Sequence, residues 1–334
     1  MADRPKTGRP VSRIGLLMGV VGLIGCVASP AFTAPDPLEI MRKVVRARGT
    51  VAFEADRKIH IINNGEIVRT LRQKIYRDTG HKERIETFTT GQSKSHVVVC
   101  DGRQMWEYWP SRSLVITHPT APTHATDDVQ NCMNLLYQGM SLTYTGQETV
   151  ARRPAHVVVV RNKSNTLVRK TWIDTSKYVE LKTEKYHGGS HPYMRVVVTR
   201  ISYLSGHDDG LFHFKPPGQV KTKQVPKPPH RSSLETAEKT AGFSAVVPNL
   251  LPDGYVFERD AVAVTRYMNR KTLWLTFTNG LETFSLFETP CDRETFNRRD
   301  TKHRAHQWYA NGVCFTLIGH LSQGQIQKIT NSTQ

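Results

Sequence analysis

The apolar positions of this chain change period several times, and the changes divide it. Residues 36–48 (DPLEIMRKVVRAR) repeat at helical spacing, with Leu38, Met41, Val44 and Val45 on one stripe. Asp36 stands where an N-cap belongs and Gly49 where a helix stops. The period then drops to two. Residues 50–62, 66–77, 81–89, 94–100, 104–109 and 113–117 each alternate as strands. Turn signals separate them, among them Asn63-Asn64-Gly65, Asp78-Thr79-Gly80 and Asp101-Gly102. Residues 127–138 read as a short helix, with two acids in the first turn, where the helix dipole favours them. Alternation resumes at 141–147, 153–161, 167–174, 179–186 and 193–203. The order predicts a long antiparallel meander with one wet face. A curved sheet of that size with two helices is large enough to enclose an apolar cavity.

Residues 206–242 break the alternation. Pro216-Pro217-Gly218, Lys221, Lys223, Pro226, Lys227, Pro228, Pro229, His230 and Arg231 make this segment Pro-rich and basic. It reads as an extended inter-domain linker, with a basic surface for anionic lipid as the alternative. Residues 243–334 form a second, smaller α+β unit. It opens on Val246–Tyr255 written as VVPNLLPDGY, with a Pro-Asp-Gly turn. Strands follow over 256–266, then a hairpin over 273–288 (LWLTFTNGLETFSLFE). Its turn is expected at Asn279-Gly280, a dipeptide that accepts positive φ at both central positions. Residues 291–300 read as a polar connection. A second hairpin surrounds Asn311-Gly312, and residues 322–332 suit a closing helix with Ile326 and Ile329 inward. The domain reading is therefore 36–205, a linker at 206–242, and 243–334.

Charge and cysteines narrow the setting. The chain of 334 residues carries a formal net charge of +17, which suggests an anionic partner. Arg4, Lys6, Arg9 and Arg13 precede the apolar run IGLLMGVVGLIG at 14–25, so residues 1–25 read as a signal peptide. Export makes nucleic acid an unsuitable partner and leaves an anionic membrane surface or an acidic protein. The run ends Leu23-Ile24-Gly25-Cys26, which resembles the lipobox of bacterial lipoproteins and implies lipidation of Cys26. Ordinary cleavage after Ser29-Pro30-Ala31 is the competing reading. Beyond it stand Cys100, Cys132, Cys291 and Cys314, an even set in an oxidising compartment. Three pairings are open; Cys100–Cys132 and Cys291–Cys314 keep each bridge within one unit.

Catalytic chemistry is weakly represented. His187 and His191 flank Gly188-Gly189-Ser190 without a neighbouring Cys or acid ligand, which favours a turn over a metal site. No nucleophile elbow, P-loop or dinucleotide glycine run occurs in the sequence. The expectation is a protein without enzymatic activity, cofactor or metal. Trp106 and Tyr108 share one face of a strand, next to Val97 and Val99. Core packing is the ordinary role of such residues. The functional alternative is that all four line a lipid-sized pocket.

Two stretches carry a family likeness. VCDGRQMWEYWP at 99–110 is similar to the hairpin of proteins with the LolA-like fold, half-open β-barrels that accept acyl chains. GQETVARRPA at 146–155, followed by Trp172-Ile173-Asp174 and Leu181-Lys182-Thr183-Glu184, resembles the second half of that fold in the RseB/MucB family. The same family has a small C-terminal domain that opens on an LP-x-G-[FY] motif and contains a DGL-x-x-FS-[VL]-F hairpin. Leu251-Pro252-Asp253-Gly254-Tyr255 and NGLETFSLF at 279–287 match these in order. The resemblance implies a LolA-like half-barrel with an apolar cavity, followed by a small α+β domain. It also implies a periplasmic regulator that binds the periplasmic part of an anti-sigma factor and senses lipid or lipoprotein acyl chains. A LolA-like carrier of lipid or lipoprotein is the alternative.

Overall fold

The computed structural model describes residues 34–89, 93–119, 139–187, 189–225, 229–267, 269–279, 282–297 and 305–333. The leader, Cys26, Cys132 and the helix expected at 127–138 lie outside them. Chain start to chain end, the described elements are mostly strands in two sheets.

Helix α1 spans Pro37–Thr50. Pro37 sits where a missing N–H costs nothing, and the Asp36 carboxylate accepts from Leu38 N at 3.0 Å. Leu38, Ile40, Met41, Val44 and Ala47 are buried. The helix runs through Gly49, which does not end it. An added Cβ at Gly49 would stand 2.9 Å from the His81 ring, so the glycine serves close packing here.

The first sheet has twelve strands. They are β1 (Phe53–Asn63), β2 (Glu66–Arg77), β3 (Lys82–Phe88), β4 (Lys94–Asp101), β5 (Gln104–Trp109) and β6 (Leu114–Pro119). After the residues outside the description come β7 (Met140–Val150), β8 (Arg153–Asn162), β9 (Leu167–Asp174), β10 (Glu180–Lys185), β11 (Met194–Tyr203) and β12 (Lys221–Gln224). The order is β12-β6-β5-β4-β3-β2-β1-β11-β10-β9-β8-β7, so the sheet stays open with β12 and β7 at its edges. β1 joins two meanders, pairing β2 on one side and β11 on the other. Asn64 and Gly65 adopt φ of 50° and 85° at the β1–β2 turn, as an Asn-Gly hairpin requires. α1 packs its apolar stripe on Met140, Val158, Val160 and Ile173.

Asp174, 1% exposed, fixes the turn between β9 and β10. Burial pushes its carboxyl up. The Arg153 guanidinium, the Ser176 hydroxyl and the backbone N–H groups of Lys177 and Ser176 outweigh burial and hold it at about 2.

The second sheet is β13 (Arg231–Ser232), β14 (Val256–Phe257), β15 (Val262–Tyr267), β16 (Arg270–Thr278), β17 (Thr283–Pro290), β18 (His306–Ala310) and β19 (Val313–Gly319). Its order is β13-β15-β16-β17-β19-β18, with β14 on β16. Helices Leu234–Ala241 and Gln323–Asn331 bury Leu234, Ala237 and Ile329 against Leu273, Leu275, Phe277, Phe284 and Phe315. Ser322 and Gln325 close the latter helix with a capping box. Asn311 and Gly312 take φ of 47° and 78° in the β18–β19 turn.

Three expectations are adjusted. Residues 206–242 contain more than a linker: β12 pairs parallel with β6, β13 pairs with β15, and Leu234–Ala241 is a helix of the second core. The alternation is too short in these pieces to be read from the sequence. The polar connection after Cys291 contains a short helix, Arg293–Asn297. In the 273–288 hairpin, Thr278 pairs with Thr283, and Asn279 N donates to Glu282 O at 3.1 Å. Asn279 therefore flanks the turn, one residue before its expected place. Its side chain is used instead: the Asn279 Oδ1 accepts from Glu282 N at 2.8 Å. Gly280 and Leu281 lie outside the described residues.

Two buried features make the second sheet testable. Cys291 and Cys314 form a disulfide with Cα atoms 5.7 Å apart, closing a separation of 23 residues. The double variant Cys291→Ala/Cys314→Ala should lose about 3 kcal/mol in urea unfolding, by loop-closure entropy. Glu288 is fully buried beside Leu273 and Phe315, with one oxygen accepting from Val246 N at 2.9 Å. Burial raises its carboxyl to about 7, against the Val246 N–H, which lowers it, and with Glu238, which adds to the rise. A carboxyl raised in the fold binds its proton more tightly there, so this group costs stability as pH climbs from about 4.5 to about 7. Glu288→Gln should gain on the natural chain by up to about 3 kcal/mol between pH 5 and pH 8. A difference that stays flat over that range would contradict this origin.

Candidate functional site: a charged cavity, an apolar groove and the contact between the sheets

A cavity of about 340 Å³ lies between α1 and the first sheet. Its apolar wall includes Val44, Phe53, Ile75, Leu181 and Val198. Four arginines share it: Arg48 from α1, Arg57 from β1, Arg77 from β2 and Arg169 from β9. The expected apolar cavity is thus charged. The reason is visible in β1, where Phe53, Ala55 and Arg57 occupy successive inward positions. Arg57 donates to Gln73 Oε1 at 2.6 Å, and burial pulls its guanidinium below its ordinary value. Glu180 is the one carboxylate in the lining. It meets Arg169 at 2.5 Å and Arg48 at 3.6 Å. Burial pushes its carboxyl up, but Arg169, Arg48 and Arg77 together hold it below the usual range. Arg77 is paired with Glu83 outside the lining, which leaves Glu180 to face Arg48, Arg57 and Arg169; one carboxylate cannot neutralise three guanidiniums, so the cavity favours an anion.

The expected lining residues Val97, Val99, Trp106 and Tyr108 are brought together, but elsewhere. The register sets Val97 opposite Tyr108 and Val99 opposite Trp106, all on one face. From Val99 the same face continues through Arg84 and Tyr76 to Glu54. Phe53 and Ala55 point to the other face, under α1, so the four residues lie across the sheet from the charged cavity. Val97 and Val99 are buried; Trp106 and Tyr108 are half-buried. Phe214 covers both aromatics, with ring centroids 6.4 Å from Trp106 and 5.9 Å from Tyr108. Val97, Tyr108, Phe214 and Pro217 line a groove of about 640 Å³, rimmed by Arg84, Lys94 and Lys215. Cys100 sits on the opposite face of β4, half-buried, and burial pushes its thiol up. Its expected partner Cys132 lies outside the described residues.

The two sheets meet at Glu282, beside the hairpin turn. Its Oε1 accepts from Lys185 Nζ of β10 at 2.7 Å and from Tyr193 OH, just before β11, at 3.0 Å. Burial and the Glu282 charge push the Tyr193 hydroxyl well above its ordinary value. His187 stacks on Tyr193 at 3.8 Å, which gives it a packing role. Ser164 donates to Asp253, and Gly139 lies against the backbone of Gly254, which has φ of 83°. The Pro-Asp-Gly turn is thus a contact surface. Lys185 also lines the charged cavity.

None of Arg48, Arg57, Arg77, Arg169, Glu180, Lys185 or Glu282 is singled out by a sequence motif. A usable signal existed for Arg57 and Arg77: each occupies the apolar phase of an alternating strand, beside Ala55 and Ile75. Glu282 carried no such mark.

No protein-family model matches this chain, and no curated protein matches it. Solved structures do. The crystal structure of MucB aligns with a TM-score of 0.52 at 15% identity, covering 90% of this chain and 98% of that one. MucB in complex with MucA(peri) gives 0.57 at 15% identity, over 89% of this chain and 98% of that one. The MucA/MucB complex of Pseudomonas aeruginosa gives 0.56 at 15% identity, over 88% and 97%. The chain therefore has a fold of the MucB kind over about nine tenths of its length.

The clamp gives a prediction. In a double-mutant cycle on urea stability, Lys185→Met and Glu282→Gln should show a coupling of about 1–2 kcal/mol, because both groups are partly buried. Strictly additive losses would mean that the pair is only a surface contact.

Proposed function

We propose that this protein is a non-enzymatic regulator of the bacterial cell envelope. It binds the periplasmic segment of an anti-sigma factor and releases it in response to lipid or lipoprotein. The observation that carries this reading is the likeness to MucB bound to MucA(peri) over 89% of the chain. The leader at 1–25 supports export, with Cys26 either lipidated or lost on cleavage.

The cavity supports the sensing step. Its four arginines suit an anionic headgroup, and its Val44–Phe53–Ile75 wall suits the first carbons of an attached chain. Lys185 belongs to both the cavity lining and the Glu282 clamp. An anion in the cavity competes with Glu282 for Lys185 and so weakens the contact between the sheets. The second reading, a lipid or lipoprotein carrier, is favoured by the apolar Val97–Tyr108–Phe214 groove.

The test uses the chain from residue 27 and the periplasmic segment of a single-span anti-sigma protein from the same bacterium. Calorimetry should show one-to-one binding, reversed by vesicles of an anionic phospholipid but not of phosphatidylcholine. Arg57→Gln/Arg169→Gln should bind the segment normally and resist release at least ten-fold better. Absence of segment binding, with acyl chains passed to acceptor vesicles, would establish the carrier instead.

A further inference from the structure

The pairing of β2 is uneven. Against β1 it is paired from Glu66 to Arg77, with one bulge at Val68. Against β3 it is paired only from Arg72 to Arg77. Among the described residues no strand covers the outer edge of residues 66–71. That edge offers a row of backbone donors and acceptors to an incoming strand. Proline, the usual device against such pairing, is missing from EIVRTL, and Ile67 and Val68 are 51% and 61% exposed.

The edge does not run out onto a flat surface. Where β3 ends, at Phe88, a pocket of about 350 Å³ opens beside β2. Arg57, Lys58, Arg72 and Lys74 line it, with Asp56 as its one acid. Asp56 is already engaged by Arg200 at 2.9 Å, so the pocket is left with an excess of positive charge. Arg69 adds a positive charge along the edge, on the opposite face of β2 from Arg72 and Lys74.

We propose that residues 66–71 are a docking edge for an extended acidic segment of a partner protein. The segment adds a strand in line with β3. Its main chain pairs with β2, and an acidic side chain enters the pocket among Arg72, Lys74 and Lys58. Main-chain pairing supplies affinity, and the basic pocket supplies register and selectivity. The proposal does not depend on the partner's identity, nor on the cavity under α1. Arg57 lines both spaces and is left unaltered in the test.

The experiment uses the chain from residue 27 and a fluorescein-labelled peptide of alternating Glu and Val, seven residues long, read by anisotropy. Binding should saturate and weaken as salt is raised. Proline in the middle of the peptide should weaken it at least ten-fold, since a missing N–H breaks the ladder. Arg72→Glu/Lys74→Glu should do the same, and so should Val68→Glu, an exposed site where misfolding is not a concern. Arg266→Glu, exposed on the second sheet, should bind like the natural chain. Equal binding of an alternating Lys and Val peptide overturns the proposal, as does full binding by both edge variants. It also falls if the edge instead pairs two copies of this chain, seen as a dimer in sedimentation that Val68→Glu dissolves while the peptide fails to bind. Adsorption to anionic vesicles that the edge variants abolish, again without peptide binding, would assign the surface to membrane.

Discussion

The register of β1 decides the chemistry of the first sheet. Because side chains alternate, a strand paired on both sides commits every neighbour to a face. β1 sets Phe53 against Arg77 and Ala55 against Ile75 on one side, and Ala55 against Ile201 on the other. That choice puts α1, its apolar stripe and the arginines on one face. It puts Val97, Val99, Trp106 and Tyr108 on the other, where Phe214 covers the aromatics. A slip by one residue at β1 would exchange the two sets. The irregularities in β1 pairing fall at Asp56/Arg57 towards β11 and at Ile61/Ile62 towards β2. Arg57, the most awkward inward residue, sits at the first of them.

Strand positions were legible because alternation is local. The eleven strands expected before residue 206 all occur, and three of them, 66–77, 104–109 and 167–174, occur with the expected ends. What alternation does not encode is which face of one strand continues into the next. So Val97 and Tyr108 face each other across β4 and β5, yet the cavity under α1 lies across the sheet from them. The short strands β12 and β13 failed for a different reason. Four residues and two residues hold too few alternations to stand out from a Pro-rich segment, and their pairing is supplied by distant partners in β6 and β15. Glu282 was invisible because its partners, Lys185 and Tyr193, stand at the end of β10 and just before β11, 97 and 89 residues earlier.

Charge is handled differently in the two cores. Asp174 is buried but surrounded by donors, which holds its carboxyl at about 2 and lets it anchor a turn. Glu288 is buried with one oxygen bonded to Val246 N and the other without a hydrogen-bond partner, and its carboxyl is raised to about 7. The first is a stabilising anion above its folded value; the second is a standing cost near neutrality. Glu238, from the helix Leu234–Ala241, holds the next backbone N–H, that of Ala245, at 2.8 Å. Two neighbouring carboxylates therefore tie residues 245 and 246 to the second core, and their repulsion is part of why Glu288 resists ionising.

The contact between the sheets includes a charged clamp that is tied to the cavity through one lysine. An apolar contact would respond weakly to a bound anion, because nothing in it competes for charge. Here Lys185 has a choice. It stands at 2.7 Å from Glu282 while also lining a space shared with Arg48, Arg57 and Arg169, a surrounding that repels it towards the clamp. An anion placed among those arginines removes that repulsion and offers Lys185 a second partner. In the function proposed above, the same change in charge would act twice, on the cavity and on the clamp. Tyr193 retains its own hydrogen bond to Glu282, so the contact loosens by one charged partner rather than parting altogether. Within that proposal, a graded weakening of this kind suits a reversible regulator more than a carrier that only has to hold its cargo.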